Sequence, residues 1–347
     1  MYAIADVKNN KALLSWIALL SFMTMIGVAG ALRMLFGHAA HASSIDVPWG
    51  ILISTYVFFV VSSTGLCLVS SLGHVFRMKQ YEVIGKRAIL LAMLTLAIGF
   101  LLIFLEVGHP IRFLYALVSP NLHSAIWWMG TLYGLYFTFI FFEFIFLMIE
   151  DHKKAQIAGL LGFVSAICAH SNLGAIFGFL EARPFWHGPY LPIYFILSAL
   201  VSGSALIILM FAVVHRKSEM PKKVEDALKS VGKLLALFLG ILIFFEVWKV
   251  ITSLYGAPPE KYETVMALLA GPLSINFYIF EILLGMLIPF VIIVATNGTC
   301  MKWLTAAAAS TMIGIFFMRY DLVIAGQLVP MRRSLDGSLV GNYPGGL

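Results

Sequence analysis

Long apolar segments, recurring from one end of the chain to the other, constrain this sequence more than anything else in it. Nine can be read, at about 13–35, 49–76, 88–107, 124–149, 155–180, 191–215, 232–255, 272–295 and 303–327. A helix crosses a hydrocarbon core with roughly 20 apolar residues. Inside that core every peptide group needs a partner within the chain, which restricts a spanning chain to helices or a closed barrel. Continuous apolarity at this length predicts helices. Charged residues make up 12% of the chain, about half the roughly 25% typical of a soluble domain, so a soluble globular protein is excluded. The expected fold is an all-α integral membrane protein of about nine transmembrane helices. Residues 259–269 are too few to cross and predict a short helix at the interface.

The first segment follows Lys8 and Lys11 and precedes "AHAS", the pattern of a cleaved leader. Its apolar run is longer than the roughly 7–15 residues of a leader core, which favours a retained span. Orientation follows from Lys and Arg. With the N-terminus cytoplasmic, 15 of the 23 basic residues fall in or beside inner loops, among them Arg77, Lys79, Lys153, Lys154, Lys222 and Lys223. The C-terminus then lies outside the cytoplasmic membrane. The net charge of +6 is thereby explained by topology and does not indicate a nucleic-acid partner. One strongly polar linker, "HRKSEMPKKVEDALKSVGK" at 215–233, interrupts the later spans.

Ionisable groups at membrane depth are functional candidates. Glu246, Lys249, Glu281, Arg319 and Asp321 fall in the outer halves of their spans, and Glu143 in an inner part. Glu246 and Lys249, three apart on one helix face, can neutralise each other, and Arg319 can pair with Glu281. Against that structural reading stands a proton path between bundles with Glu143 at its inner entrance; a purely interfacial Glu143 is the alternative. Cys67, Cys168 and Cys300 are scattered and form no CxxC, so no iron–sulfur or zinc framework is legible. Of nine histidines only His170 lies well inside a span, and a haem b anchor needs facing pairs.

A second polar group gathers at the outer ends. Glu106, His109, Arg112 and His123 surround one loop, "LEVGHPIRFLYALVSPNLHS". His170, Asn172 and Arg183 approach from the fifth span, and Tyr56 lies about two turns below the outer end of the second. A quinone headgroup needs donors for its carbonyls and a group that exchanges protons; imidazole suits the task, and a buried glutamate can share it. In the structural alternative, His109 and Arg112 anchor helix ends at headgroups and Glu106 pairs with Arg112. A secondary transporter is a further alternative and predicts a midplane site on broken helices.

The stretches "PWGILISTYVFFVVSSTG", "LEVGHPIRF", "PNLHSAIWWMG", "AHSNLGAIFGFLEARPFWHGPYLPIYFILSALVSG", "FYIFEILLGMLIP" and "MRYDLVIAGQLVP" occur in that order over about 48–330. Together they resemble the NrfD-like family of polysulfide reductase membrane subunits. The resemblance implies two four-helix bundles, 48–186 and 187–330, with 1–47 as an added N-terminal helix and outer loop and 331–347 as an outer tail. It implies a haem-free subunit that exchanges electrons between menaquinone or ubiquinone and a ferredoxin-like iron–sulfur subunit on the outer face. That partner would connect to a molybdopterin reductase, a multihaem cytochrome or a hydrogenase; this chain would carry no iron–sulfur cluster and would not be catalytic alone. The implied quinone pocket lies near the outer face of the first bundle. Tyr56, Arg112, His123, His170, Asn172 and Arg183 are then the quinone-binding candidates, with Glu106 and His109 for proton exchange. "EVGHPIRF" departs from the family's acidic-Leu-Gly-Arg-Pro pattern at Val107 and His109. Tyr56 stands where some members place a quinone-contacting histidine, and Asn172 near a position where some place tyrosine.

Overall fold

The computed structural model describes residues 48–328 apart from 107–114, 116–118 and 256–258. The expected first span, the C-terminal tail, His109 and Arg112 lie outside the described residues. Within them the chain forms α1 (Ile51–His74), α2 (Lys79–Glu106), α3 (Ala125–Met148), α4 (His152–Gly178), α5 (Tyr190–Val214), α6 (Lys222–Tyr255), α7 (Pro259–Leu269), α8 (Asn276–Ala295) and α9 (Met301–Leu328). All but α7 are long and apolar enough to cross a membrane, and no strand occurs among the described residues. The chain is an all-α integral membrane protein.

Two helices begin earlier than their apolar runs. α2 starts at Lys79 because Tyr81, Ile84 and Gly85 are buried while Glu82 and Lys86 face outward. α6 starts at Lys222, inside the expected linker. Val224, Ala227, Leu228 and Val231 bury one stripe of that extension, and Glu225 pairs with Lys229 at 2.7 Å on the other side. The polar half of such a helix satisfies its backbone internally and leaves its charges in water. The turns that begin at Val75, Ile149 and Thr296 each use a left-handed residue, Arg77 (φ 57°), Glu150 (φ 61°) and Asn297 (φ 50°). Together with 215–221 they hold most of the described basic residues at one end of the molecule. Loop 179–189, α7 and the turn at 270–275 lie at the other.

Consecutive helices pack in two closed sets. α1 lies on α2, α2 on α3 and α3 on α4, which returns to α1; α5 lies on α6, α6 on α8 and α8 on α9, which returns to α5. The loop before α5 joins the two sets. α1, α5 and α9 are the most buried spans, and α1 against α5 is the seam between the sets. The seam is set by small residues. A Cβ on Gly65 would fall 1.7 Å from Ala199 O, and one on Gly203 would fall 2.1 Å from Gly65 C. Small residues let helix backbones approach where no hydrophobic force drives association in lipid.

α8 is not a regular α-helix. Residues Asn276–Leu287 are π-helical, with Glu281 near the middle, and the helix becomes α-helical at Ile288. Here too two glycines touch: a Cβ on Gly314 would lie 2.0 Å from Gly285 Cα. Extended π-helix is rare and tends to accompany functional sites.

Gly65→Ala and Gly203→Ala are expected to lower stability by at least about 1–3 kcal/mol, the cost of overpacking. Gly130→Ala and Gly134→Ala, whose added Cβ meets nothing within 4 Å, are expected to be neutral or mildly stabilising. Thermal unfolding of the four variants in one detergent checks the contrast.

Candidate functional site

Two polar groups sit at similar depth on either side of α5. In the first, α4 carries His170 eight residues before its end, about 12 Å down a helix rising 1.5 Å per residue. The imidazole is fully buried. Its Nε2 lies 3.2 Å from Phe195 O and its Nδ1 3.1 Å from the Tyr133 hydroxyl. A carbonyl only accepts, so Nε2 carries the proton and Tyr133 donates to Nδ1. Both ring nitrogens are thus engaged, and neither offers a lone pair to an iron. One turn before Tyr133 on α3 stands Met129, whose Sδ accepts from the Tyr56 hydroxyl at 3.4 Å. Tyr56 is buried. Asn172, half-buried on α4, donates to Ala125 O at 2.9 Å and fastens α4 to the start of α3.

The other expected members of this site are dispersed. Glu106 is half-buried as the last residue of α2. His123 is exposed in the loop before α3, its backbone N–H bonded to Asn121 Oδ1 at 3.1 Å. Arg183 is buried in the 179–189 loop, and its Nη1 donates to Gln327 O at 3.4 Å. It belongs to a knot that ties the start of α1 to the end of α9. In that knot Trp49 and Gln327 exchange two hydrogen bonds of 2.9 Å, and Trp49 stacks on Trp186 with ring centroids 5.3 Å apart. Tyr56 and His170 are therefore brought to one buried group through Met129 and Tyr133, while His123 and Arg183 stand away from it.

The second group contains five of the six charged residues expected at depth. On α6, Glu246 Oε2 accepts from Tyr194 at 3.0 Å, and Glu246 Oε1 forms a salt bridge with Lys249. From α8 and α9, Glu281 and Asp321 lie within electrostatic reach of that pair and of each other, and Asn276 donates to Asp321 Oδ1 at 3.3 Å. Arg319 does not close a salt bridge with Glu281. Its Nη2 donates to Ser198 Oγ on α5, its guanidinium lies over the Phe195 ring at 4.7 Å, and its Nε and Nη1 have no hydrogen-bond partner. Phe195 thus touches both groups: its carbonyl holds His170, and its ring faces Arg319.

Beside this second group, at the end opposite the basic loops, is a cavity of about 250 Å³ walled by Phe185, Trp186, Tyr190 and Trp248. Lys249, His187 and Lys261 supply its charge-bearing lining. Lys249 reaches both the cavity and buried Glu246, whereas Lys261, on α7, has its ammonium pushed below the usual lysine range by burial.

Glu143 stands apart. It is fully buried on α3, and neither carboxyl oxygen has a hydrogen-bond partner. It fits against Gly159 of α4, where a Cβ would come within 2.8 Å of Oε1. Among the described residues no group of three or more His, Cys, Asp and Glu is disposed to hold a metal ion.

Tyr133, Tyr194, Ser198 and Asn276 were not expected from sequence. Phenols in a span carry a signal, because a buried hydroxyl needs a partner; Ser198 and Asn276 carry none until α5 and α8 are placed.

Substitution tests whether Glu246 and Lys249 depend on each other. Lys249→Met strands the buried Glu246 and is expected to cost about 3–5 kcal/mol, as for loss of one partner of a buried pair. Glu246→Gln with Lys249→Met is expected to recover a substantial part. A double-mutant cycle on unfolding in detergent measures the coupling, and additive losses would refute it.

Comparison with known proteins gives a family match over most of the chain: the family model described as polysulphide reductase, NrfD matches residues 38–331. A selenate reductase subunit of Mesobacillus selenatarsenatis is 28% identical over 363 residues, covering 93% of this chain and 84% of that protein. The Hdr-like menaquinol oxidoreductase integral membrane subunit of Archaeoglobus fulgidus is 28% identical over 327 residues, covering 91% of this chain and 81% of that protein.

Proposed function

The chain belongs to the NrfD polysulphide reductase family, and from that premise we propose that it is the quinol- or quinone-reactive membrane subunit of a respiratory oxidoreductase complex. The observation that carries the reading is the buried group of Tyr56, Tyr133 and His170 in a family whose relatives include a menaquinol oxidoreductase membrane subunit. The basic end faces the cytoplasm, in keeping with the distribution of Lys and Arg. The opposite end docks a ferredoxin-like iron–sulfur subunit, which hands electrons to or from a molybdopterin reductase, a multihaem cytochrome or a hydrogenase.

The residues fit a quinone headgroup in one specific respect. The Tyr56 hydroxyl spends its proton on a thioether, a weak acceptor. A carbonyl oxygen is a better one, so Tyr56 can turn to it at little loss. A bound quinone supplies two-electron, two-proton chemistry. The chain's own part is to bind and orient the ring through Tyr56, with Asn172 and His123 nearer the outer end, and to hold protons. His170 positions Tyr133 from behind. Glu106 and His109 are the proton-exchanging groups of the outer edge, with Arg112 and Arg183 holding acids or the docked partner.

The group around Glu246, Lys249, Glu281, Arg319 and Asp321 forms, in this proposal, a proton path that opens to the outer end through the cavity at Lys249, with Glu143 as a separate inner entry. Its support is burial: charges at this depth are costly and accompany function.

Tyr56→Phe is expected to lower quinol-dependent turnover of the intact complex at least tenfold while leaving turnover with an artificial electron donor to the partner unchanged. Glu106→Gln with His123→Ala is expected to act in the same direction. Unchanged quinol turnover in both variants would sink the site assignment.

A further inference from the structure

The basic end holds a second cavity, about 320 Å³, far from the phenols and buried charges of the outer half. Its charged and titratable lining comprises His74, Arg77, Lys79, Glu82, His152 and Lys153. Three permanent cations and two imidazoles thus face one carboxylate. The backbone adds to the same sign. Lys79 and His152 are the first residues of α2 and α4, and Glu82, Lys153, Ala155 and Gln156 of the lining belong to the first turns of those helices. Two helix N-termini therefore border one space, and because Lys154 N is already taken by the Asp151 side chain at 3.1 Å and Tyr81 N by Met78 O at 2.9 Å, it is the side-chain cations, aided by the positive helix ends, that would receive an oxyanion.

The lip of the cavity is built, not merely charged. Arg77 sits in the left-handed region at φ 57°, an unfavourable conformation for arginine that needs support from its surroundings. That support is visible: Arg77 Nη2 donates to Gln156 Oε1 at 2.6 Å, and Gln156 Nε2 donates to Val75 O at 3.1 Å. The bridge fastens the α1–α2 turn to α4 and uses one of the five guanidinium N–H donors. Around the lip, Phe76, Met78, Met148 and Ile149 are exposed apolar side chains. They continue the lipid-facing surface of the spans up to the edge of the cationic space.

We propose that this cavity is a phosphate-binding site, shaped for the phosphate of an anionic phospholipid headgroup whose acyl chains lie along that apolar edge. Basic pockets between transmembrane helices are where such headgroups are held. The shared chemistry is the phosphate oxyanion, and a free phosphate is the other source of it.

The purified chain in detergent, titrated separately with dioctanoyl phosphatidylglycerol, dioctanoyl phosphatidylcholine and inorganic phosphate, distinguishes the two sources. Thermal unfolding and native mass spectrometry are the readouts. The wild type is expected to gain thermal stability and retain one phosphatidylglycerol copy, with at least tenfold weaker binding of phosphatidylcholine. Lys79→Gln with Lys153→Gln leaves the Arg77–Gln156 bridge in place and is expected to weaken phosphatidylglycerol binding at least tenfold. Lys222→Gln with Lys223→Gln removes the same charge elsewhere on this end and is expected to change nothing. If inorganic phosphate alone stabilises the wild type, and the Lys79/Lys153 variant loses that effect, the site stands and free phosphate is its ligand. Equal binding of every probe by wild type and the Lys79/Lys153 variant overturns the site. So does an equal loss in the Lys222/Lys223 variant, which would mean diffuse attraction to a basic surface.

Discussion

The backbone contact between α1 and α5 is the constraint from which the rest of the interior follows. With Gly65 against Ala199 and Gly203, the two helices approach more closely than side chains ordinarily permit. α5 is thereby pressed between the two sets of helices, and its residues are shared by both. Phe195 offers its carbonyl to His170 and its ring to Arg319; Tyr194 reaches Glu246; Ser198 receives Arg319. A bulkier seam would move α5 outward and separate each of these groups from its partner. The glycines thus set the distance at which a phenol–imidazole group on one side and a charged group on the other lie against a single helix.

Burial at this depth leaves little tolerance. A hydrogen bond in a low-dielectric interior is strong, and an unmade one is correspondingly expensive. The first group meets that demand with neutral partners: phenol to imidazole, imidazole to carbonyl. The second meets it with charges, and incompletely, since Arg319 Nε and Nη1, Glu281 Oε1 and Asp321 Oδ2 have no hydrogen-bond partner. A purely structural core would be better served by apolar side chains of the same size. Five ionisable groups held at this depth, together with the π-helical segment that carries Glu281, are the physical ground for proposing that this group is functional.

Much of this was legible in the sequence, for reasons that differ by level. Apolar length located eight spans, because hydrocarbon thickness is a fixed ruler. The spacing of Glu246 and Lys249 foretold their pair, because three residues place two side chains on one face. The early start of α6 was hidden, because a charged helix in water and a linker share a composition, and only the stripe from Val224 to Val231 tells them apart. The π-helix was hidden because the apolar run "NFYIFEILLGML" carries no local signal that distinguishes it from an α-helix. Arg319 was expected to seek Glu281; its hydrogen bond goes to Ser198, a serine indistinguishable in the sequence from its neighbours Ser202 and Ser204. Buried polar side chains were legible where the signal is local, as at His170, and their partners were not where two distant helices must first meet.

The inner stripe of α3 shows how far a polar route can be carried on one helix. Tyr133, Tyr136, Ile140 and Glu143 are all buried and follow at intervals of three and four, so they line one face. Tyr133 joins His170, and Tyr136 donates to Ser63 O on α1. Ile140 then interrupts the series, and the seven residues from Tyr136 to Glu143 span about 10 Å at 1.5 Å each. Cys67, within reach of Tyr136, Ser71 and Glu143, is the polarizable group in that gap. Protons passing between Glu143 and the phenols would need water at the level of Cys67, whereas α6, α8 and α9 hold their carboxyls and ammonium within direct electrostatic reach of one another. For the proposed proton path, the second set of helices is therefore the better suited on physical grounds. Glu143, seated against Gly159 with no donor or cation of its own, is better placed to exchange protons with the basic end than with the phenols above it.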